Sequence, residues 1–259
     1  MSAHSPDTLE RHPETPGRVA LVSDPHANLP AFEAVIADID GVGVDAIWCL
    51  GDLVGYGAHP DECVALARER CDVCLVGNHD LVVLGRLDIA HFSHNAAIAA
   101  SWTRRRIGSD AREFLDALAA EDLSRPIGLY HASPRDPIWE YVLSALLADS
   151  CMDAMDARIG AIGHSHVALS FRRADGERAE GELAPHGTER DLSSGEWLIN
   201  PGSVGQPRDG DPRAAWLLLD LTAWTATWRR VEYPIEEAAE AIRMASLPDA
   251  LAERLYYGQ

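Results

Sequence analysis

Aspartate, asparagine and histidine gather at five points along the chain, each just after a short apolar run. Ser23-Asp24-Pro25-His26 follows the run 18–22, and Gly51-Asp52 follows 44–50. Gly77-Asn78-His79-Asp80 follows 73–76, His131 follows 127–130, and Gly163-His164-Ser165-His166 follows 159–162. A single polar turn needs no explanation. Burying such groups without partners costs roughly 1–3 kcal/mol each, so five recurrences argue for a site rather than for accident. The apolar runs read as buried strands. Ligand crevices of open α/β sheets lie at the carboxyl ends of their strands, so these residues should converge in space. Carboxylate and imidazole donors without a thiolate suit metals of intermediate hardness, such as manganese, iron or zinc.

The elements that must carry these residues alternate between residues 18 and 76. Segments 30–40 and 60–70 read as helices with a proline in the first turn, which makes a βαβαβ unit with parallel strands. Asp61 and Glu62 suit the first turn of the second helix as solvated charges. Residues 81–123 are predicted to be mostly helical. Trp102 falls on a core face of the helix 95–106, His91 and His94 lie on the surface before it, and Asp110 is placed to cap the next helix. A turn-rich loop, 132–137, precedes an expected helix over 138–147. Strands follow at 167–172 and 197–200. The charged stretch 173–196 between them reads as a long excursion opening on an Asp175-Gly176 turn. Residues 201–212 form a loop by composition. The pair 214–221 and 224–231 reads as a hairpin closing the second sheet, and two amphipathic helices, parted near Pro248, end the chain.

The chain has 259 residues, 47% of them hydrophobic. Motifs spread from Asp24 to Arg208 must share one domain if they share one site, which predicts a single domain over 18–259 after a disordered polar tail, 1–17. With 41 acidic and 22 basic residues the net charge is −19. Such a surface repels long nucleic acids and acidic membranes. No run approaches the roughly 20 apolar residues of a membrane span, and the amino-terminal stretch has no apolar centre of a signal peptide. Cys49, Cys63, Cys71, Cys74 and Cys151 form no disulfide framework. Cys71-x-x-Cys74 has no second pair to complete a zinc site, so it reads as structural. A reducing cytosol fits these thiols.

Asp24-x-His26, Gly51-Asp52, Gly77-Asn78-His79-Asp80, His131 and Gly163-His164-x-His166 stand in the order that resembles the calcineurin-like metallophosphoesterases. Val54-Gly55-Tyr56-Gly57, Ser133-Pro134-Arg135-Asp136-Pro137 and the run from Asn200-Pro201-Gly202-Ser203 to Arg208-Asp209-Gly210 are similar to its small bacterial phosphodiesterase-like branch. The resemblance covers the chain from Arg18 onward. It implies a four-layer α/β/β/α sandwich of two mixed β-sheets flanked by helices. It also implies two divalent metal ions, manganese favoured, with iron, zinc, nickel or cobalt as alternatives. Asp24, His26, Asp52 and His166 would hold the first ion. Asp52, Asn78, His131 and His164 would hold the second, with Asp52 bridging. On that resemblance, paired ions about 3.5–4 Å apart would acidify a shared water, and the resulting hydroxide would attack phosphorus in line. A local charge of roughly +4 would draw a small phosphate ester into an otherwise acidic protein. His79 would not ligate metal but would contact a phosphoryl oxygen or protonate the leaving alcohol. Arg135 and Arg208 are candidate phosphate contacts.

Two departures narrow the reading. Gly51-Asp52-Leu53-Val54-Gly55-Tyr56-Gly57 lacks the second aspartate and the arginine of the protein-phosphatase signature Gly-Asp-x-x-Asp-Arg-Gly. The carboxylate that would orient the catalytic imidazole is thus missing at Gly55, which favours small phosphodiesters, with monoesters as a lesser activity. Ala132 stands where the branch usually has glycine. The alternatives are a catalytically silent scaffold, as in a retromer subunit of this fold, and a protein that binds a phosphate ligand without turnover. Retention of His79 and all seven candidate ligands favours the enzyme. The sequence leaves the oligomeric state open, a homo-oligomer included.

Overall fold

The computed structural model describes Pro16–Gln259, so the tail expected at 1–17 lies outside the described residues up to position 15. In chain order the strands are β1 (Arg18–Val22), β2 (Ala46–Cys49), β3 (Val73–Cys74), β4 (Glu121–Asp122), β5 (Gly128–Tyr130) and β6 (Ile159–Ala161). They continue with β7 (Leu169–Arg173), β8 (Glu180–Leu183), β9 (Glu189–Asp191), β10 (Glu196–Asn200), β11 (Ala214–Asp220) and β12 (Thr225–Val231). The α-helices are α1 (Leu29–Val42), α2 (Pro60–Arg70), α3 (Asn78–Leu84), α4 (His94–Arg106), α5 (Ser109–Asp116), α6 (Ala145–Met152), α7 (Ile235–Met244) and α8 (Asp249–Glu253).

Two six-stranded mixed sheets result, ordered β3-β2-β1-β11-β12-β9 and β4-β5-β6-β10-β7-β8. Each contains a parallel core: β1, β2 and β3 in the first, β5, β6 and β10 in the second. The period-two alternation of side chains sorts one strand between two cores. In β1, Ala20 and Val22 face the helices α1, α2 and α7, while Val19 and Leu21 face the second sheet. Between the sheets, Trp48, Leu217 and Trp228 of the first meet Leu129, Trp197 and Ile199 of the second. On the far side, Tyr130 and Leu198 pack on α6 through Ala148, Cys151 and Met152. Three cores separate four layers, the α/β/β/α sandwich that the resemblance implied.

Several local expectations differ from the structure. Residues 138–143 are not helical. The Asp136 carboxylate accepts from the Ile138 and Trp139 amides at 3.1 Å, a local bond that competes with helix formation. The helix begins only after Ser144, whose hydroxyl accepts from Leu147 N at its N-cap. The excursion 173–196 contains β8 and β9, which extend one edge of each sheet. Residues 121–122 form the edge strand β4 rather than helix. The hairpin β11–β12 lies in the first sheet, beside β1 with Val19 opposite Leu219, not in the second. Asp110 sits inside the first turn of α5, whose N-cap is Gly108. Trp102 is only partly buried, against the helical core.

Trp228 links this packing to the site below. Its ring is 1% exposed between the sheets, and its Nε1–H donates to the Asn200 carbonyl at 2.8 Å. Trp228→Phe keeps an aromatic ring but strands that carbonyl, so stability should fall by about 1–3 kcal/mol, read as a lower urea midpoint at unchanged slope.

Candidate metal and phosphate site

The carboxyl ends of β1, β2, β3, β5 and β6 open onto one crevice and bring the dispersed motifs together. Asp24, His26 and His166 form one group of donors within 4.8 Å of one another, and Asp52, His131 and His164 form a second. A third, His26, Asp52 and His79, overlaps both. Asp24, His26, Asp52 and Asn78 follow strands of the first sheet. His131, His164 and His166 follow strands of the second. His131 Nε2 lies 3.2 Å from Asn78 Oδ1 and 3.6 Å from Asp52 Oδ2. His26 Nε2 also lies 3.6 Å from Asp52 Oδ2, and His166 Nε2 lies 3.6 Å from Asp24 Oδ1.

The outer ring nitrogens settle what the inner ones can do. Nδ1 of His26, His131 and His166 faces the carbonyls of Val54, Leu50 and Gln206 at 3.1, 2.8 and 2.6 Å. A carbonyl can only accept, so each Nδ1 carries the proton and each Nε2 presents a lone pair inward, the tautomer that binds metal. Two such lone pairs, on His26 and His166, face each other at 3.0 Å. Asp24 Oδ1, Asp52 Oδ2 and His164 Nε2 are buried beside them without a hydrogen-bond partner. Converging lone pairs repel unless a cation lies among them. These residues therefore fit a divalent metal centre.

Electrostatics agree with that fit. Burial raises the Asp24 carboxyl to about 7 and pushes Asp52 well above the usual carboxylate range, with the neighbouring Asp80 charge adding to the second shift. Burial holds His26, His79, His164 and His166 well below the ordinary imidazole value. The Arg208 guanidinium lowers all four further.

The loops are held by side chains both outside and inside the donor cluster. The Asp80 carboxylate accepts from the Gly77, Val54 and Leu53 amides at 2.9, 3.0 and 3.4 Å, tying the loop after β3 to the loop after β2. Asp52 Oδ1 accepts from His79 N at 2.8 Å. A side chain at Gly77 would collide with that carboxylate, so the approach requires glycine. Asn200 donates to the Gly163 carbonyl at 2.8 Å and to Ser165 Oγ at 3.0 Å, which fixes the turn carrying His164 and His166. Nine described non-glycine residues have φ between 48° and 61°, and seven of them, Asp24, His26, Ala27, Asp52, Tyr56, His164 and His166, sit in these loops. Each such conformation costs on the order of 1 kcal/mol or more and persists where surrounding bonds enforce it.

His79 is 5% exposed, and its Nδ1 has no partner. Its ring lies 4.4 Å from the Tyr56 ring and 4.3 Å from the Phe92 ring, centroid to centroid. Position 55 explains the missing carboxylate. A Cβ there would strike the His79 imidazole, so the ring rests on glycine and is held by its aromatic neighbours. Arg208 reaches the crevice from the loop after β10. It donates to Tyr56 Oη at 3.2 Å and to Gln206 Oε1 at 3.0 Å, and its guanidinium stands 5.5 Å over the Tyr56 ring. Its neighbour Asp209 anchors that loop to the buried Arg230 and to the Ala168 amide. Arg135 is 42% exposed and pairs with Glu140 at 3.6 Å. Tyr141 stacks on His164 at 4.0 Å, and His91, exposed, abuts Trp139 at 5.5 Å.

Sequence patterns did not single out the roles of Tyr56, Asp80, Phe92 and Tyr141. The one available signal was Asp80, the third residue of a helix that begins at Asn78, where a carboxylate reaches back to the turn before it. All five cysteines are free thiols, and Cys71 forms the carboxyl-terminal cap of α2. Among the described residues no helix is long and apolar enough to cross a membrane.

A cation entering the cluster must expel the carboxyl protons that burial retains, whereas burial already keeps His26, His164 and His166 neutral. Manganese affinity should therefore rise with pH through about 7, where Asp24 gives up its proton. Calorimetric titration at pH 6 in two buffers of different protonation enthalpy should show proton release that shrinks by pH 8.

Comparison with known proteins places this geometry. Residues 18–223 match the calcineurin-like phosphoesterase superfamily domain. A metallophosphoesterase from Sphaerobacter thermophilus superposes with a TM-score of 0.85 at 39% identity, covering 95% of this chain and 100% of that one. An uncharacterized protein of Methanocaldococcus jannaschii is 40% identical over 247 residues, 93% of this chain and 98% of that protein. A hypothetical protein from Pyrococcus horikoshii OT3 shares the fold, with a TM-score of 0.76 at 18% identity over 93% of this chain and 98% of that one. On the family match and these two relatives at about 40% identity, the chain belongs to the calcineurin-like phosphoesterase superfamily, a family of metal-dependent phosphoric ester hydrolases.

Proposed function

We propose that the chain hydrolyses small phosphodiesters at a two-metal centre, with monoesters as a lesser activity. The observation that carries this reading is the two donor groups, Asp24 with His26 and His166 and Asp52 with His131 and His164, joined where His26 Nε2 comes within 3.6 Å of Asp52 Oδ2. Asp24, His26, Asp52 and His166 would hold one ion. Asp52, Asn78, His131 and His164 would hold the other, with manganese favoured. Bound there, two divalent ions supply Lewis acidity toward the phosphoryl oxygens and lower the pKa of water.

The chain's own residues supply the rest. Asp52 offers Oδ2 to both groups because Oδ1 is held by the His79 amide. Burial keeps His79 neutral. A phosphate anion beside it raises its proton affinity, which suits an imidazole that bonds a phosphoryl oxygen and protonates the leaving alcohol. Arg208 keeps a half-buried positive charge beside the cluster and is the proposed phosphate contact. Arg135, committed to Glu140, is the weaker candidate. The absence of an aspartate and an arginine at positions 55 and 56 speaks against phosphoproteins as substrates. The net charge of −19 speaks against polymeric nucleic acid. Free thiols suit a reducing cytosol.

The test uses metal-stripped protein with manganese restored, assayed on bis-p-nitrophenyl phosphate and p-nitrophenyl phosphate. Diester cleavage should depend on manganese and exceed monoester cleavage. His79→Ala should retain metal and lower kcat by about 10²–10⁴-fold, the usual worth of a general acid. Asp52→Asn should lose both manganese binding and turnover. Bound manganese without turnover of either ester would overturn the proposal in favour of a scaffold or a ligand-binding protein. Tyr56→Phe removes the hydroxyl that accepts from Arg208 and should raise KM several-fold with a smaller change in kcat.

A further inference from the structure

Past Tyr56 the crevice wall carries positive charge that no carboxylate answers. Arg208 donates to Gln206 Oε1 at 3.0 Å, and Arg254, at the start of the turn Arg254–Tyr256, donates to the same oxygen at 3.2 Å. Both side chains are half-buried. Among the described residues neither guanidinium pairs with a carboxylate. Their acceptors are the Tyr56 hydroxyl and one neutral amide oxygen. Arg208 Nε is buried with no acceptor. Other arginines are treated differently: the buried Arg230 pairs with Asp209, and Arg173 meets Asp149, Asp153 and Glu196. A chain with 41 acidic residues has carboxylates to spare, and it places none beside this pair. The two cations repel, and burial together with the Arg208 charge loosens the proton of Arg254. The carboxyl-terminal segment is nevertheless docked so as to bring Arg254 there. The Gly258 carbonyl accepts from Gly210 N at 3.0 Å, which ties the segment to the loop of Gln206 and Arg208. Gly258 has a φ of 62°, and a Cβ there would meet the Asp211 backbone at 2.7 Å.

We infer that Arg254 and Arg208 form a subsite for a second, non-reacting phosphate group at one end of the substrate. This rests on the phosphodiesterase reading, because it takes the donor cluster as the place of the reacting phosphoryl group. Tyr56 stands between the two places. Its ring lies 4.7 Å from the His26 ring, centroid to centroid, and the Arg208 guanidinium stands 5.5 Å over it. Gln206 joins them from the other side, since its backbone carbonyl faces His166 Nδ1 at 2.6 Å while its side chain holds both guanidiniums. Hydrogen bonds from a guanidinium to an oxyanion are about twice as strong as neutral ones. One arginine fork already matches the two oxygens of a carboxylate. Two forks together suit the three oxygens of a terminal phosphate. The fitting substrate is a small diester with a phosphorylated end rather than one with two neutral arms.

Binding can be read without turnover. Manganese-loaded protein, with free manganese held constant, is titrated calorimetrically with butyl, pentyl and hexyl monophosphate. The same chains are then tested with a phosphate at both ends, and with a phosphate at one end and a carboxylate at the other. The proteins are the wild type, Arg254→Ala, Arg254→Lys and Arg243→Ala, the last removing a surface arginine that pairs with Asp249. The bisphosphate of at least one length should bind about ten- to a hundred-fold more tightly than its monophosphate, the worth of a hydrogen bond to a charged group. Arg254→Ala should shrink that gap to within about threefold, Arg254→Lys should restore part of it, and Arg243→Ala should leave it intact. Equal affinity for monophosphates and bisphosphates at every length would overturn the subsite and leave the phosphoesterase reading standing. A gap that survives Arg254→Ala, or that Arg243→Ala closes as well, would do the same, as would tighter binding of the carboxylate-ended chains. No manganese-dependent binding of any of these ligands would overturn both.

Discussion

Asp52 occupies the point on which the site depends. One of its carboxylate oxygens is fixed by the His79 amide, and the other is buried, unpaired and shared by imidazoles from both sheets. A carboxylate left so in a protein interior is held in its protonated form or answered by a cation. The surrounding chain is arranged to keep it there. Glycine at position 77 lets the backbone approach it, and Asp80 locks the two adjoining loops together. The same loops concentrate most of the strained backbone among the described residues. Folding free energy from three apolar cores is in this way converted into preorganisation of one polar cluster.

Preorganisation extends to proton positions. Three backbone carbonyls choose the tautomers of His26, His131 and His166 before any ligand arrives. Burial then keeps the His26 and His166 imidazoles neutral. His79 is governed differently. It has no carboxylate behind it and no carbonyl on Nδ1, and it is bounded by glycine below and by Tyr56 and Phe92 at its faces. Its basicity thus answers to what enters the crevice rather than to a fixed partner.

The donor cluster was legible in the sequence because each donor directly follows a strand, and apolar runs ending in Asp, Asn or His stand out locally. The parallel units were legible for the same reason, through alternation of strand and helix with proline at helix starts. What was not legible depends on contacts between distant segments. The hairpin β11–β12 carries the same apolar pattern whichever sheet it joins, and only the pairing of Val19 with Leu219 decides it. Residues 138–143 have a helical composition, yet the Asp136 side chain captures their first amides. Tyr56, Phe92 and Tyr141 look like core aromatics in one dimension, and only the fold turns them toward His79 and His164. Arg208 was visible as a loop cation, but its burial beside Tyr56 was not.

The division of donors between sheets has a mechanical consequence. Asp24, His26, Asp52 and Asn78 belong to one sheet's loops, while His131, His164 and His166 belong to the other's. The apolar layer between the sheets therefore sets the spacing of the two halves of the donor cluster, which closes over one end of that layer like a clasp. A cation drawn to both halves cross-links them, and by linkage its affinity and the cohesion of the sandwich rise or fall together. Anything that splays the sheets, even far from the crevice, opens the clasp.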